Sequence, residues 1–194
     1  GPKALLQQKE ILDTIGIAHG GTGKNIEDAS RPVFVKVKDV IVAFISMYVG
    51  KGTTAADKDK PGIFKVRRTR QVYRAVKNSY FYARQRAHLV VFTPHWGYNM
   101  TKNPTKSRRR LARKLINLGF DAILGHSAHQ LHGIEVYKGK PIVYDMGNFV
   151  ADWVSNTRMK RSAAFILEFN KYGFYKINIL PLTLGFGNVR LARD

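Results

Sequence analysis

Three histidines stand where apolar stretches run out. His95 follows Val90-Val91-Phe92-Thr93-Pro94, and His126 and His129 follow Ala122-Ile123-Leu124-Gly125. Neutral imidazole is a good ligand for Zn²⁺ and Fe and, more weakly, for Mn²⁺. A divalent metal between histidines and carboxylates polarises a phosphoryl oxygen and lowers the pKa of a bound water. Two-metal sites hold such ions roughly 3.5–4 Å apart and draw ligands from several loops. The non-histidine partners near these positions are Asn99, Asp145, Asn148 and Asp152. A lone imidazole at a strand end is more often a hydrogen-bonding loop residue, but three on successive strand ends weigh against that reading. His132 could support the ligands from behind, His88 reads as packed or surface, and His19 has no assignment. Trp96 reads as a core residue and Asn148, after Gly147, first of all as a turn residue.

The elements that must position these residues are legible in the patterning. Val33–Lys38 alternates apolar and basic residues, which predicts a half-buried strand, and Asp39 marks a turn into Val40–Val49. That run is nearly all apolar, as a strand covered on both faces is. Residues 50–62 read as a loop. Phe64–Ala87 is predicted as one helix packing through Val66, Thr69, Tyr73, Val76, Tyr80, Ala83 and Ala87. Leu89–Phe92 is a buried strand leading to His95. Thr105–Leu118 is a helix with Leu111, Leu115 and Leu118 inward and Arg108, Arg109, Arg110 and Arg113 outward, stopped by Gly119. Asp121–Leu124 follows as a strand, so strand, helix and strand form a parallel crossover. Gly133–Tyr137 with Pro141–Tyr144, and Ala163–Phe169 with Phe174–Leu180, are hairpins. Upstream, Lys3–Ile15 has helical spacing, and Asn25–Ala29 a short helical turn. The intervening Gly20-Gly21-Thr22-Gly23-Lys24 lacks the frame of a phosphate-binding Walker loop. Loops at strand ends are held by a rigid sheet and are free for binding chemistry.

Composition narrows the partners. The chain has 194 residues, 44% hydrophobic, room for one core, and no cysteine, which excludes disulfides, thiolate metal sites and thiol catalysis. The ten-residue run Val40–Val49 is too short for a membrane helix, which needs roughly 20 apolar residues. Thirty-three Lys and Arg face 13 Asp and Glu, a net charge of +20, and Pro61–Phe120 holds 15 basic residues and no acid. Such a field favours polyanions: an acidic polymer, nucleic acid or an anionic surface. The plainer reading is a solvated, solubilising face.

Taken together, three motifs resemble those of the CapA-type family of poly-γ-glutamate capsule biosynthesis proteins. They are His95-Trp96-Gly97-Tyr98-Asn99, Gly125-His126-Ser127-Ala128-His129 and Tyr144-Asp145-Met146-Gly147-Asn148-Phe149, with Gly133–Ile142 between the last two. Asn99 stands where the family pattern has Glu, and Ala128 where it has Pro. The resemblance implies a metallophosphatase-like fold, a layered α-β-β-α sandwich with a mixed sheet ending in antiparallel hairpins. It implies a phosphoesterase- or hydrolase-like activity, if active, with His95 and His126 in the reaction. His95, His126 and His129 would be ligands of one or two ions of Mn, Fe or Zn. Arg108, Arg109, Arg110, Arg113, Asn99 and Asn148 would hold the anionic polymer. The family's further ligands lie on a segment upstream of these motifs. Residues 1–194 are therefore expected to form one domain that is completed by an N-terminal half or a second chain, or that has lost the site, and Gly1-Pro2 reads as a cleavage remnant. An extracytoplasmic or membrane-associated setting is also implied. The reading of a different class is a catalytically inactive basic subunit that binds nucleic acid or another polyanion.

Overall fold

The computed structural model describes residues 1–52, 54–154 and 157–192. The first half runs α1 (Pro2–Thr14), β1 (Thr22–Gly23), α2 (Ile26–Ala29), β2 (Val33–Val37), β3 (Val40–Val49), β4 (Gly62–Ile63), β5 (Lys65–Val66) and α3 (Thr69–Arg84). There follow β6 (Leu89–His95), α4 (Lys106–Leu118), β7 (Ala122–Leu124), β8 (Ile134–Tyr137), β9 (Lys140–Val143), α5 (Thr157–Lys160), β10 (Arg161–Asn170), β11 (Gly173–Leu184) and β12 (Val189–Leu191). Thr53, within the expected 50–62 loop, lies outside the described residues.

Seven strands make the central sheet, in the order β2-β3-β6-β7-β9-β8, with β5 beside the end of β3. β3, β6, β7 and β9 run parallel, while β2 and β8 close the two edges antiparallel. Side chains alternate by face along the long strands, as a period of two requires. Ala43, Ile45, Val90 and Phe92 meet Val72, Val76 and Ala83 of α3 and Ala112, Leu115 and Ile116 of α4. Val42, Leu89, Val91 and Ala122 face the other way, against Leu167, Phe169 and Phe174 of the β10–β11 hairpin. That hairpin and β12 form a separate antiparallel sheet. Both faces of β3 are therefore covered, which is why its sequence is nearly all apolar. The result is a mixed α/β fold with a mixed sheet and antiparallel hairpins.

Two expectations need correction. The helix expected over Phe64–Ala87 begins only at Thr69. Lys65–Val66 instead extends the sheet, parallel to Tyr48–Val49, because the pairing edge of β3 is free beyond the end of β2. The Gln71 side chain accepts the Arg68 N–H at 2.9 Å and starts the helix there. Arg108, expected to face outward on α4, is 3% exposed.

Where the helical layer meets the sheet, Asp121 neutralises two cations. Its carboxylate accepts from Arg84, from Lys140 at 3.0 Å and from the Val90 N–H at 2.8 Å. Asp121→Asn is expected to cost about 2 kcal/mol, because the half-buried Arg84 would keep its bonds to the His88 and Gly119 carbonyls but lose its charge partner, as would Lys140. Urea denaturation would show this as a lower midpoint at unchanged slope.

Candidate functional site at the strand ends

Four parallel strands put their C-terminal ends on one edge of the sheet, where α/β proteins collect ligands. β6 ends at His95, the chain after β7 reaches His126 within two residues, and the chain after β9 reaches Asp145 within two. The three loops are bonded to one another rather than merely adjacent. The His126 carbonyl accepts the N–H groups of Trp96 (3.1 Å) and Gly97 (3.0 Å), and the His126 N–H donates to Pro94. The Met146 N–H donates to Gly125, and Met100 N–H to Ala128. Trp96, a core residue as expected, donates its indole N–H to the Tyr144 carbonyl at 3.0 Å.

Asp145 is fully buried and ties two of the loops. Its carboxylate accepts the N–H groups of Ala128 (2.7 Å) and Gly147 (3.1 Å). Burial pushes its pKa up, and these two bonds oppose that shift. A Cβ on Gly97 would lie 2.2 Å from the Ala128 nitrogen and 2.5 Å from Asp145 Oδ2. A Cβ on Gly125 would lie 2.3 Å from the Tyr144 carbonyl oxygen. The glycines of the motifs are thus there to let the loops touch. Ser127 (φ 107°) and His129 (φ 59°) hold left-handed backbone, a strain that persists only where the surroundings impose it.

His95 and His126 meet through their Nδ1 atoms, 3.1 Å apart. The His95 ring also stacks on Tyr48, with centroids 4.9 Å apart. Burial pushes His126 down to about 4, with His95 adding to the shift, and burial also lowers His95. Both are therefore neutral near pH 7 and able to offer a lone pair. His129 is engaged elsewhere: its Nδ1 bonds Asn148 Oδ1 at 2.9 Å, and its ring packs edge-on against Trp153. The buried amide nitrogen of Asn148 has no partner among the described residues. No group of three or more His, Asp or Glu that could hold a metal occurs among the described residues. Two facing imidazole nitrogens suit two ligand positions of a metal, but the described residues do not complete a centre. Asp152 is exposed and outside the cluster. His132 bonds the Thr101 carbonyl at 2.7 Å and His88 accepts the Ile41 N–H, both structural positions.

An open cleft of about 830 Å³ lies against this edge. His95, His129, Asn99 and Arg108 line it, as do Tyr48, Tyr98 and the cations Lys51, Arg67, Arg68 and Arg70. No carboxylate lines it among the described residues. Arg109, Arg110 and Arg113 share α4 with Arg108 but do not line the cleft. Arg113 donates to Glu135 at 2.7 Å, and Glu135 also accepts the Tyr144 hydroxyl. The parts not foreseen were Tyr48, hidden within an apolar run, and Tyr98. No sequence signal distinguishes either from an ordinary packed or exposed aromatic.

These features define a mixed α/β protein with a histidine-bearing, cationic cleft at the strand ends. The chain belongs to the bacterial capsule synthesis protein family PGA_cap, whose family model matches residues 1–153. It is 32% identical over 181 residues to the PGA biosynthesis protein CapA of Bacillus subtilis, covering 91% of this chain and 44% of that protein. It is 30% identical to the capsule biosynthesis protein CapA of Bacillus anthracis, covering 97% and 46%. A probable polyglutamine synthesis accessory protein of Mycobacterium tuberculosis is 29% identical, covering 79% and 42%. The chain thus spans less than half the length of these curated relatives. A hypothetical protein from Thermus thermophilus shares the fold over 77% of this chain and 60% of its own, with a TM-score of 0.54 at 14% identity.

Proposed function

We propose that this chain carries the cleft of a protein acting in the synthesis, transfer or processing of an anionic polymer of the poly-γ-glutamate kind. The observation that carries this reading is a cleft lined by five cations and running up to His95 and His129. A polymer with a carboxylate on every unit meets such a wall with a row of charges, and the contact weakens as salt rises. The names of the relatives support the same substrate class. On this reading the observed layers belong to a metallophosphatase-type α-β-β-α sandwich, and the setting is extracytoplasmic or membrane-associated. No helix among the described residues is long and apolar enough to cross a membrane.

His95 and His126 would supply two nitrogens to Mn, Fe or Zn, with the other ligands coming from outside the described residues. A bound metal would supply Lewis acidity at a phosphoryl or acyl oxygen. The protein's own residues have separate tasks. Burial keeps His95 and His126 neutral, Asp145 fixes the loops, and Asn148 sets the tautomer of His129 so that Nε2 remains for a ligand. The cleft arginines and Asn99 position the polymer. A second reading, a catalytically silent polyanion binder, uses the same cationic cleft without the metal.

The experiment loads the chain with Mn²⁺, Fe²⁺ or Zn²⁺, desalts it, counts the retained metal, and assays phosphodiester hydrolysis and poly-γ-glutamate binding. Retained metal and hydrolysis, both lost in His126→Ala, support the first reading. Salt-sensitive polymer binding with neither metal nor hydrolysis supports the second. Absence of polymer binding at low salt would sink both.

A further inference from the structure

Arg108 is a buried cation with no ion pair among the described residues. It is 3% exposed, and neither Nε nor Nη1 has a hydrogen-bond partner among the described residues. Its guanidinium carbon lies 3.9 Å from the centre of the Tyr98 ring, which covers one face. Tyr98 is itself 58% exposed and lines the cleft with Arg108. The Asp145 carboxylate attracts the guanidinium through space, but its own bonds go to Ala128 and Gly147. Stacking on a tyrosine returns only part of what an ion loses on leaving water. Native proteins pair buried charges, so a guanidinium left with unused donors marks a place where an acceptor belongs.

We propose that Arg108 and Tyr98 form a discrete oxyanion subsite in the cleft wall, taking one carboxylate or phosphate group of a bound ligand. This rests on the polymer reading for the ligand's source but not for the site itself. The fork geometry of a guanidinium matches both groups. Arg67, Arg68 and Arg70 stand on the same cleft wall and are exposed, so they attract the rest of an anionic ligand without fixing any one group. Arg108 differs because packing holds its side chain before the ligand arrives, and little ordering entropy remains to be lost. Because it lines the same cleft as His95 and His129, it fixes one anionic group of the ligand relative to the histidine edge.

The test titrates the chain with inorganic phosphate and, separately, with a γ-linked glutamate oligomer, at fixed ionic strength. Arg108→Met is the main variant, and exposed Arg109→Gln is matched to it in charge. Arg108→Met should fold at least as well as wild type, since an apolar side chain of similar length replaces an unpaired buried ion. Arg108→Lys keeps the charge and removes the fork, should Met disturb packing. Phosphate is expected to raise the melting temperature of wild type and Arg109→Gln saturably. Affinity should fall about tenfold or more in Arg108→Met and less in Arg108→Lys. Equal responses in Arg108→Met and Arg109→Gln, or no saturable response in wild type, overturn the subsite. Phosphate binding through Arg108 without oligomer binding keeps the subsite and removes the polymer reading. Oligomer binding that ignores Arg108 does the reverse.

Discussion

Gly97→Ala is expected to be the most damaging single-methyl change in the site, lowering stability by about 3 kcal/mol. The added Cβ would lie 2.2 Å from the Ala128 backbone nitrogen and 2.5 Å from Asp145 Oδ2. The first is backbone, and the second, a carboxylate oxygen, is held in place by its bonds to the Ala128 and Gly147 N–H groups. The Ala128 nitrogen belongs to a loop whose N–H already donates to Asp145 at 2.7 Å, and Asp145 is fully buried. Relief requires the 95–100 loop to lift away, which breaks the bonds from Trp96 and Gly97 to the His126 carbonyl. The change would therefore also separate His95 from His126, which the Nδ1···Nδ1 contact holds at 3.1 Å. Gly133→Ala is the matched control, since a Cβ there meets nothing within 4 Å. Urea denaturation of both variants checks the prediction, and equal midpoints would refute the steric account.

Acid is expected to weaken the folded protein through His126. Burial pushes its pKa from an ordinary 6.5 to about 4, with the neighbouring His95 adding to it. A base whose pKa is lower in the folded chain than in the unfolded one binds fewer protons when folded. Its contribution is therefore fully present above about 6.5 and is lost as pH falls toward 4. The shift corresponds to about 3 kcal/mol. His95, lowered mainly by burial and then by His129, acts in the same direction. Asp145, raised by burial, acts in the opposite one. Comparison with His126→Gln isolates the histidine: stability measured from pH 7 to pH 4 with a chelator present should fall more steeply in wild type. Parallel curves would mean that His126 is not held neutral by its surroundings.

The three motifs act as a single layer in which glycines permit contact, Asp145 provides the tie and the histidines are carried on top. With His95 and His126 held neutral by burial beside a cationic cleft wall, the site attracts anions without placing charge on those two imidazoles. Arg108 is the point where that attraction becomes local, and it belongs to the same cleft as His95 and His129.

Much of this was legible in the residues alone, because local rules determine it. Apolar alternation and short turn signals located β2, β3, the β8–β9 hairpin and the β10–β11 hairpin, each within a few residues. Thr105 and Gly119 bounded α4, since its caps are local chemistry. Strand ends bearing His95, His126 and His129 could be read as one edge once β6, α4 and β7 formed a parallel crossover. What the sequence could not decide were contacts between distant segments. Val66 has helical spacing with Tyr73 and Val76, yet it joins the sheet because β3 outruns β2 and leaves donors and acceptors to pair. Arg108 reads as one more outward arginine in a row of three, yet only it is buried. The loop bearing Tyr98 folds over its position on α4, and periodicity within a helix carries no information about a loop that covers it. His95 and His126 lie 31 positions apart and meet, while His129, three residues from His126, pairs with Asn148 instead. The left-handed backbone at Ser127 and His129 turns the chain between them, and only the packed strand ends impose that turn.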